Sequence, residues 1–383
     1  MLALGSMSHL TRLVLRGVTD PSNSLRHLAP LTALRSLDLR LADMDGEELC
    51  AELLLHLSLL TSLMVLPSLR TPLRRQLPMR WLAPRMCLHN LDLLDHTLVD
   101  DDLACVSHSP ACSPACLPAR WPQRASSMHH LNPQPFRAAA KTPLNPTQLA
   151  RHCPFLRRLC VAKIQLFAPV ATPLVALAEL ELTGDFIYEG VAPEAFRISA
   201  LAPRIGALDV LGRLHPETAL EGNTTLWQLD LNAAACRSLG VLASCKALDK
   251  LRIVGRDGFE LLRTLSPGSG VRELTLSGCR AGEDDLRRLT PTLLPALHSL
   301  RLLRFSGGGD DANLIALAAF PRLVSVHITC GEYHASKDAL ALLSLLPRIE
   351  DIVYDADWID REFASHCERM APSGRLRISL GNY

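Results

Sequence analysis

Five side chains in one short stretch, Cys105, Cys112, Cys116, His129 and His130, are of the types that bind zinc. Cys112 and Cys116 stand at the spacing of a ligand pair, but a structural zinc needs four converging donors, and no second well-spaced pair accompanies them. Accidental composition accounts for the cluster. Asp355, Asp357 and Asp360 lack the glycine that a calcium loop requires at its turn. Gly307-Gly308-Gly309 follows a strand pattern, yet no Lys-Ser/Thr pair comes after it to cradle phosphate. His327 and Cys330 share a strand segment at an odd spacing, which sends their side chains to opposite faces. The acidic runs Asp100-Asp101-Asp102, Glu283-Asp284-Asp285 and Asp310-Asp311 each precede a helical pattern, where carboxylates offset the positive end of the helix dipole. No serine, histidine and acid combination has a workable spacing. The chain reads as a non-enzyme with no cofactor and no metal.

The elements that would hold any site come from the chain as a whole. It has 383 residues, 40 Lys+Arg against 39 Asp+Glu, and a net charge of +1. That balance gives no electrostatic drive toward nucleic acid. Hydrophobic residues make up 48% of the chain and aromatics 4%, so the core is aliphatic. Twelve cysteines are too sparse for a disulfide-stapled scaffold, the amino terminus has no secretory pattern, and the apolar run from Leu53 to Leu66 is too short and too polar to cross a bilayer. A reduced, cytoplasmic protein is expected, without membrane contact.

Leucine organises the rest. The pattern L-x-x-L-x-L recurs as Leu10-Leu13-Leu15, Leu34-Leu37-Leu39, Leu60-Leu63-Val65 and Leu88-Leu91-Leu93. It resumes at Leu156-Leu159-Val161 and continues to Ile349-Ile352-Tyr354, with a last partial copy at Ile378 and Leu380. Apolar residues two apart share one face of a strand. Between them lie apolar positions at helical spacing, such as Leu239, Leu242, Cys245 and Leu248, or Leu340, Leu343, Leu346 and Ile349. A single strand and helix cannot bury such faces alone, whereas stacked copies can. The expected fold is an α/β solenoid with a parallel sheet on one side and helices on the other.

The spacing and sequence of these units resemble leucine-rich repeats. The stretches Leu149 to Leu156 (LARHCPFL), Leu242 to Leu248 (LASCKAL) and Val271 to Cys279 (VRELTLSGC) resemble the cysteine-containing subclass found in F-box proteins. The position of Cys279 is filled by Ala42, His96, Asp185, Arg256 and Phe305 in other copies, so the subclass ladder is incomplete. The resemblance implies a leucine-rich-repeat horseshoe, with a concave sheet and convex helices.

In such a strand the residues between the buried leucines face the concave groove. Glu179, Glu181, Asp209 and Asp230 form an acidic block there, with Gln228 beside them, followed by Lys250 and Arg252 and then Glu273, Arg301 and His327. A mixed groove suits a protein or peptide with its own charge pattern. Trp227, at the edge of the same strand as Asp230, is either a partner anchor or part of the wall.

Residues 1–106 are read as N-terminal repeats, 107–146 as a disordered Pro/Ser/Ala/Cys-rich insertion, and 147–383 as C-terminal repeats of the same solenoid. Removing 107–146 restores a well-formed repeat, so the segment is either a convex-side insertion or untranslated sequence retained in the gene model. Neither end carries a polar capping unit, which points to a capping partner or a longer parent protein. The function expected is that of a protein-binding scaffold or adaptor in the cytoplasm, with cytoskeletal association by analogy. The alternative is the substrate-recognition part of an F-box-type (SCF) ubiquitin ligase receptor, whose F-box is missing before Leu10.

Overall fold

A computed structural model describes residues 7–18, 25–41, 57–66, 76–78, 87–99, 149–150, 153–166, 172–182, 186–188, 196–210, 212, 216–282, 285–307, 311–330, 339–340, 343, 348–356, 365, 369 and 376–380. The insertion assigned to 107–146, with Cys105, Cys112, Cys116, His129 and His130, lies outside these residues. So do Asp357, Asp360, Gly308, Gly309 and the acidic run at 100–102.

The strands are β1 (Arg12–Val18), β2 (Ser36–Leu41), β3 (Ser62–Leu66), β4 (Gln76–Pro78), β5 (Asn90–Val99), β6 (Arg158–Leu166), β7 (Glu179–Leu182), β8 (Phe186–Tyr188) and β9 (Ala207–Val210). They continue with β10 (Gln228–Asn232), β11 (Lys250–Val254), β12 (Glu273–Ser277), β13 (Arg280–Ala281), β14 (Ser299–Gly307), β15 (Ser325–Cys330), β16 (Asp351–Ala356) and β17 (Leu376–Leu380). Fourteen of them form one parallel sheet in sequence order, a repeat solenoid. The short strands β4, β8 and β13 flank it, paired to β5, β6 and β14. The ladder is open, since among the described residues β1 pairs only with β2 and β17 only with β16.

The leucine triplets explain the register. Leu13 stands opposite Leu37, Leu37 opposite Leu63, and Leu63 opposite Leu91. Leu91 pairs with Leu159 although the chain between β5 and β6 is long. Every one of these residues is buried, so a one-residue slip would turn a whole row of leucines into water. Tyr354 takes the third apolar position of β16 and is fully buried, the largest such side chain in the core.

A hydrogen-bond motif repeats at the start of the ladder strands from β2 to β16. The carbonyl of Thr11 accepts from the N–H groups of both Arg35 and Ser36, and Arg35 in turn accepts from Thr61 and Ser62. The same pairing runs from His89 to Arg157 and Arg158, from Trp227 to Asp249 and Lys250, and on to Val324 with Glu350 and Asp351. Each strand is thus positioned by its neighbour's backbone rather than by the chain leading into it.

Among the described residues, several segments between strands are shorter helices than their apolar spacing suggested. Residues Gly240–Ser244 and Leu317–Ala319 are 3-10 turns, and Ile198–Leu201, Gly258–Leu262 and Asp311–Ala316 are single turns of α-helix. For Gly240–Ser244 the reason is a spacing of three rather than alternating threes and fours. In a 3-10 turn side chains at i and i+3 eclipse, so Leu239, Leu242, Cys245 and Leu248 all face the core. Their amides follow suit, with Leu242, Cys245 and Leu248 N–H donating to the carbonyls of Leu239, Leu242 and Cys245.

Cysteines serve the core as polar rungs. The Cys245 thiol points at the Leu220 carbonyl, and the Cys279 thiol at the carbonyls of Ile253 and Ser277. Burial pushes the Cys279 thiol up to about 11, so it stays protonated and able to donate.

Candidate functional site

The residues between the buried leucines of each strand line the open face of the sheet, and register places them in rows. The row at the strand centres runs Asp92, Cys160, Glu181, Asp209, Asp230, Arg252, Thr275, Arg301, His327. Beside it runs Arg158, Glu179, Ala207, Gln228, Lys250, Glu273. All ten residues anticipated in the sequence lie on these two rows. In a parallel sheet, register partners stand one strand spacing apart, about 4.8 Å.

At that spacing, charges on adjacent strands interact directly. Arg158 reaches Glu179 at 3.7 Å and Glu181 at 3.5 Å, Lys250 reaches Glu273 at 2.9 Å, and Arg252 lies 3.6 Å from Asp230. Arg377 meets Asp351 at 2.5 Å near the last strand. The side chains in these pairs are mostly well exposed, so each pair adds little to stability, between zero and about 1 kcal/mol. Their effect is on pattern, because they leave few charges on the face unmatched.

Two groups depart from an ordinary solvated face. Asp230 is only 8% exposed, walled in by its neighbours, and burial pushes its carboxyl above the usual range against the pull of Arg252. Asp209 stands between Glu181 and Asp230, so both register partners are carboxylates. Its Oδ1 is buried without a hydrogen-bond partner, and burial followed by the like charges of Asp230 and Glu181 pushes it up to about 6. On the same row, burial first and the charges of Asp92 and Glu181 second push the Cys160 thiol up. Cys160, which alternation placed in the groove, is fully buried beneath these carboxylates and offers no nucleophile.

The sign of the Asp209 shift gives a stability prediction. The folded carboxyl holds its proton more tightly than the unfolded one, whose ordinary value is 3.8. The cost of ionising it is therefore absent below about pH 4, grows as pH rises through about 6, and is complete above that. Replacing Asp209 with Asn removes a cost on the order of 1 kcal/mol after solvent screening. The melting temperature of Asp209→Asn should exceed that of the parent at pH 7.5 and match it at about pH 3. An equal gap at both pH values would show that ionisation is not the cause.

Trp227 lies at the rim of β10, 43% exposed, against Gly206. A Cβ at Gly206 would stand 2.7 Å from the indole Nε1, so glycine is what lets the ring lie flat there. Sequence spacing could not reveal this contact, which joins two repeats. His327 sits beside Arg301 and shares a 3.3 Å hydrogen bond with the Thr329 hydroxyl. Asp311 is in the first turn of its helix, as expected for the acidic runs. Asp285 is also in a first turn, but it is 6% exposed and bonded to Arg263 on a neighbouring repeat.

Among the described residues no group of three or more His, Cys, Asp or Glu is arranged to hold a metal ion, and no helix is long and apolar enough to cross a membrane.

No family model matches the chain, and no curated protein matches it. Solved structures do: one is the complex of Rad7 and Elc1 from yeast, whose matching chain is 14% identical, with 92% of this chain and 70% of that one covered at a TM-score of 0.33. What the chain's own residues establish is a parallel-sheet repeat solenoid with a charged open face.

Proposed function

We propose that the chain is a leucine-rich-repeat horseshoe whose concave sheet face binds a protein or peptide, and that it works as a non-enzymatic scaffold or adaptor in the cytoplasm. The observation that carries this reading is the open face itself. In-register rows of charged side chains remain accessible across successive strands, while the opposite faces of those strands are buried in leucine. Solenoids characteristically use such extended surfaces for binding. The mixture of signs suits a polypeptide and not a polyanion.

Site-specific photo-crosslinking tests it. A photoreactive residue at Lys250 or Arg301 should capture a protein partner in cell extract, whereas one at Ile315 or Arg322, both exposed between strands, should capture none. Adducts confined to Ile315 and Arg322 would move the binding surface off the sheet. Lys250→Glu should reduce capture at Arg301 by about tenfold through lost charge complementarity. Reversal at Asp230 is the poorer test, since that side chain is enclosed.

A second reading, the substrate-recognition part of an F-box-type ubiquitin ligase receptor, draws on Cys153, Cys245 and Cys279. All three are buried, and the latter two bond to the preceding repeat as the cysteine-containing repeats would require. Sequencing the transcript from its 5′ end decides between the two. An upstream F-box reading frame makes the ligase role the leading one, and a start at Met1 leaves the scaffold.

A further inference from the structure

Most charges of the open face are matched by one another. Arg158 is shared between Glu179 and Glu181, Asp230 faces Arg252, Lys250 holds Glu273, and Asp351 holds Arg377. Two are not. Asp209 makes no ion pair among the described residues: carboxylates flank it on both sides, the nearest cations on either side, Arg158 and Arg252, lie against Glu179, Glu181 and Asp230, and Asp209 Oδ1 is buried without a partner. Arg301 is exposed, with Thr275 and His327 as its register partners, and has no hydrogen bond or ion pair among the described residues. The two unmatched groups are of opposite sign and lie on the same row.

Their separation is set by the ladder. From β9 through β10, β11 and β12 to β14 there are four strand steps, or about 19 Å at about 4.8 Å each. An extended chain rises about 3.3 Å per residue, so about six residues cover that distance. Between the two lie the Asp230–Arg252 pair, already neutral, and Thr275, whose hydroxyl can bond a peptide backbone.

We propose that the open face receives one extended polypeptide segment running across the strands along this row, with a Lys or Arg side chain over Asp209 and an Asp or Glu side chain, about six residues away, over Arg301. This rests on the concave-face reading above and specifies its partner. A cation over Asp209 supplies the counter-charge that its two neighbours deny it, and a carboxylate makes a forked pair with Arg301. A purely acidic partner is repelled by Glu181 and Asp209, and a purely basic one by Arg252 and Arg301. Binding therefore requires both signs at a set distance.

The test is selection of a random-peptide display library on the full chain, on the charge-swapped variant Asp209→Arg with Arg301→Glu, and on Thr275→Trp. The last places a bulky ring midway along the row without changing a charge. The parent should enrich peptides with a basic and an acidic residue about six apart in one fixed order. The swapped variant should enrich the opposite order and bind the parent's peptides at least about tenfold more weakly. Thr275→Trp should bind neither set. Thermal melting confirms that each variant is folded. If the swapped chain does not fold, Arg301→Gln takes its place, with loss of the acidic residue from the selected peptides as the expected result.

Peptides that bind the parent and the swapped chain equally overturn the charge pairing. If Thr275→Trp still abolishes them, the sheet face remains the binding surface. If Thr275→Trp binds them too, both readings fall. Enrichment without a spaced pair of charges, or none above the Thr275→Trp background, also overturns the proposal, and the photo-crosslinks then judge the face independently.

Discussion

Replacing Gly258 with alanine should destabilise the protein by about 3 kcal/mol, a large loss for the addition of one methyl group. Gly258 opens the helical turn Gly258–Leu262, and a Cβ there would stand 2.4 Å from the Cys279 sulfur and 3.3 Å from Ile253 Cγ2. Neither neighbour can retreat easily. Ile253 is fully buried, and the Cys279 thiol is held between two backbone carbonyls. Alanine's higher helix propensity returns up to about 1 kcal/mol and does not reverse the sign.

The cause can be isolated by a double-mutant cycle. Cys279→Ala removes the sulfur, leaving the two Cβ atoms at an ordinary 3.6 Å. Alone it should cost about 1 kcal/mol, the lost thiol contact and a small void. Gly258→Ala in that background should then cost well under 1 kcal/mol, a coupling of about 2 kcal/mol read by chemical denaturation. An undiminished cost without the sulfur would place the strain elsewhere.

The second large effect is expected at Asp285. Its carboxylate accepts from the Gly282 N–H at 2.6 Å and pairs with Arg263, which also grips both oxygens of Glu260 at 2.7 Å. Asp285 is 6% exposed, whereas Arg263 keeps some contact with water. Asp285→Ala leaves an amide without its acceptor and an arginine without its inner partner, at a cost of about 2–3 kcal/mol. Arg263→Met leaves a buried carboxylate without its counter-charge and should cost at least as much. The double variant should cost clearly less than the two losses added, because neither charge is then stranded. Strict additivity in denaturant titrations would mean that the pair does not act as a unit.

These sites show where the sequence was legible. The triplet Leu248-Leu251-Ile253 identified a strand, its buried face and its neighbours, because alternation and a repeating step are properties of the chain itself. The rows of the open face followed directly, since stacking in register needs only the triplets. Less legible was whatever depends on the neighbouring repeat. Leu239, Leu242, Cys245 and Leu248 were read as a helix, although a strict spacing of three was already the signature of a 3-10 turn. Asp285 was read only as part of an acidic run preceding a helix. Its burial depends on Arg263, twenty-two residues earlier and in the preceding repeat. Asp230 and Cys160 were placed in an open groove, but adjacent side chains close over them. Gly206 and Gly258 carried no signal in the sequence, because each is required by a side chain one repeat onward.

The doubled acceptor at the start of the ladder strands from β2 to β16 has a mechanical consequence. A tensile load applied to the two ends of the ladder falls first on β1 and β17, which each have one neighbour. When β1 lets go, its Thr11 carbonyl leaves the two amides of β2 together, and the next strand inherits the same geometry and the same load. Failure therefore advances as a peel, one repeat at a time. Apart from the 68-residue step between Leu91 and Leu159, each event frees 21 to 28 residues between successive strand centres, or about 70–90 Å of extended chain. The molecule would behave under force as a ratcheted tape, giving length in near-equal increments on either side of one long step while its interior repeats keep their register.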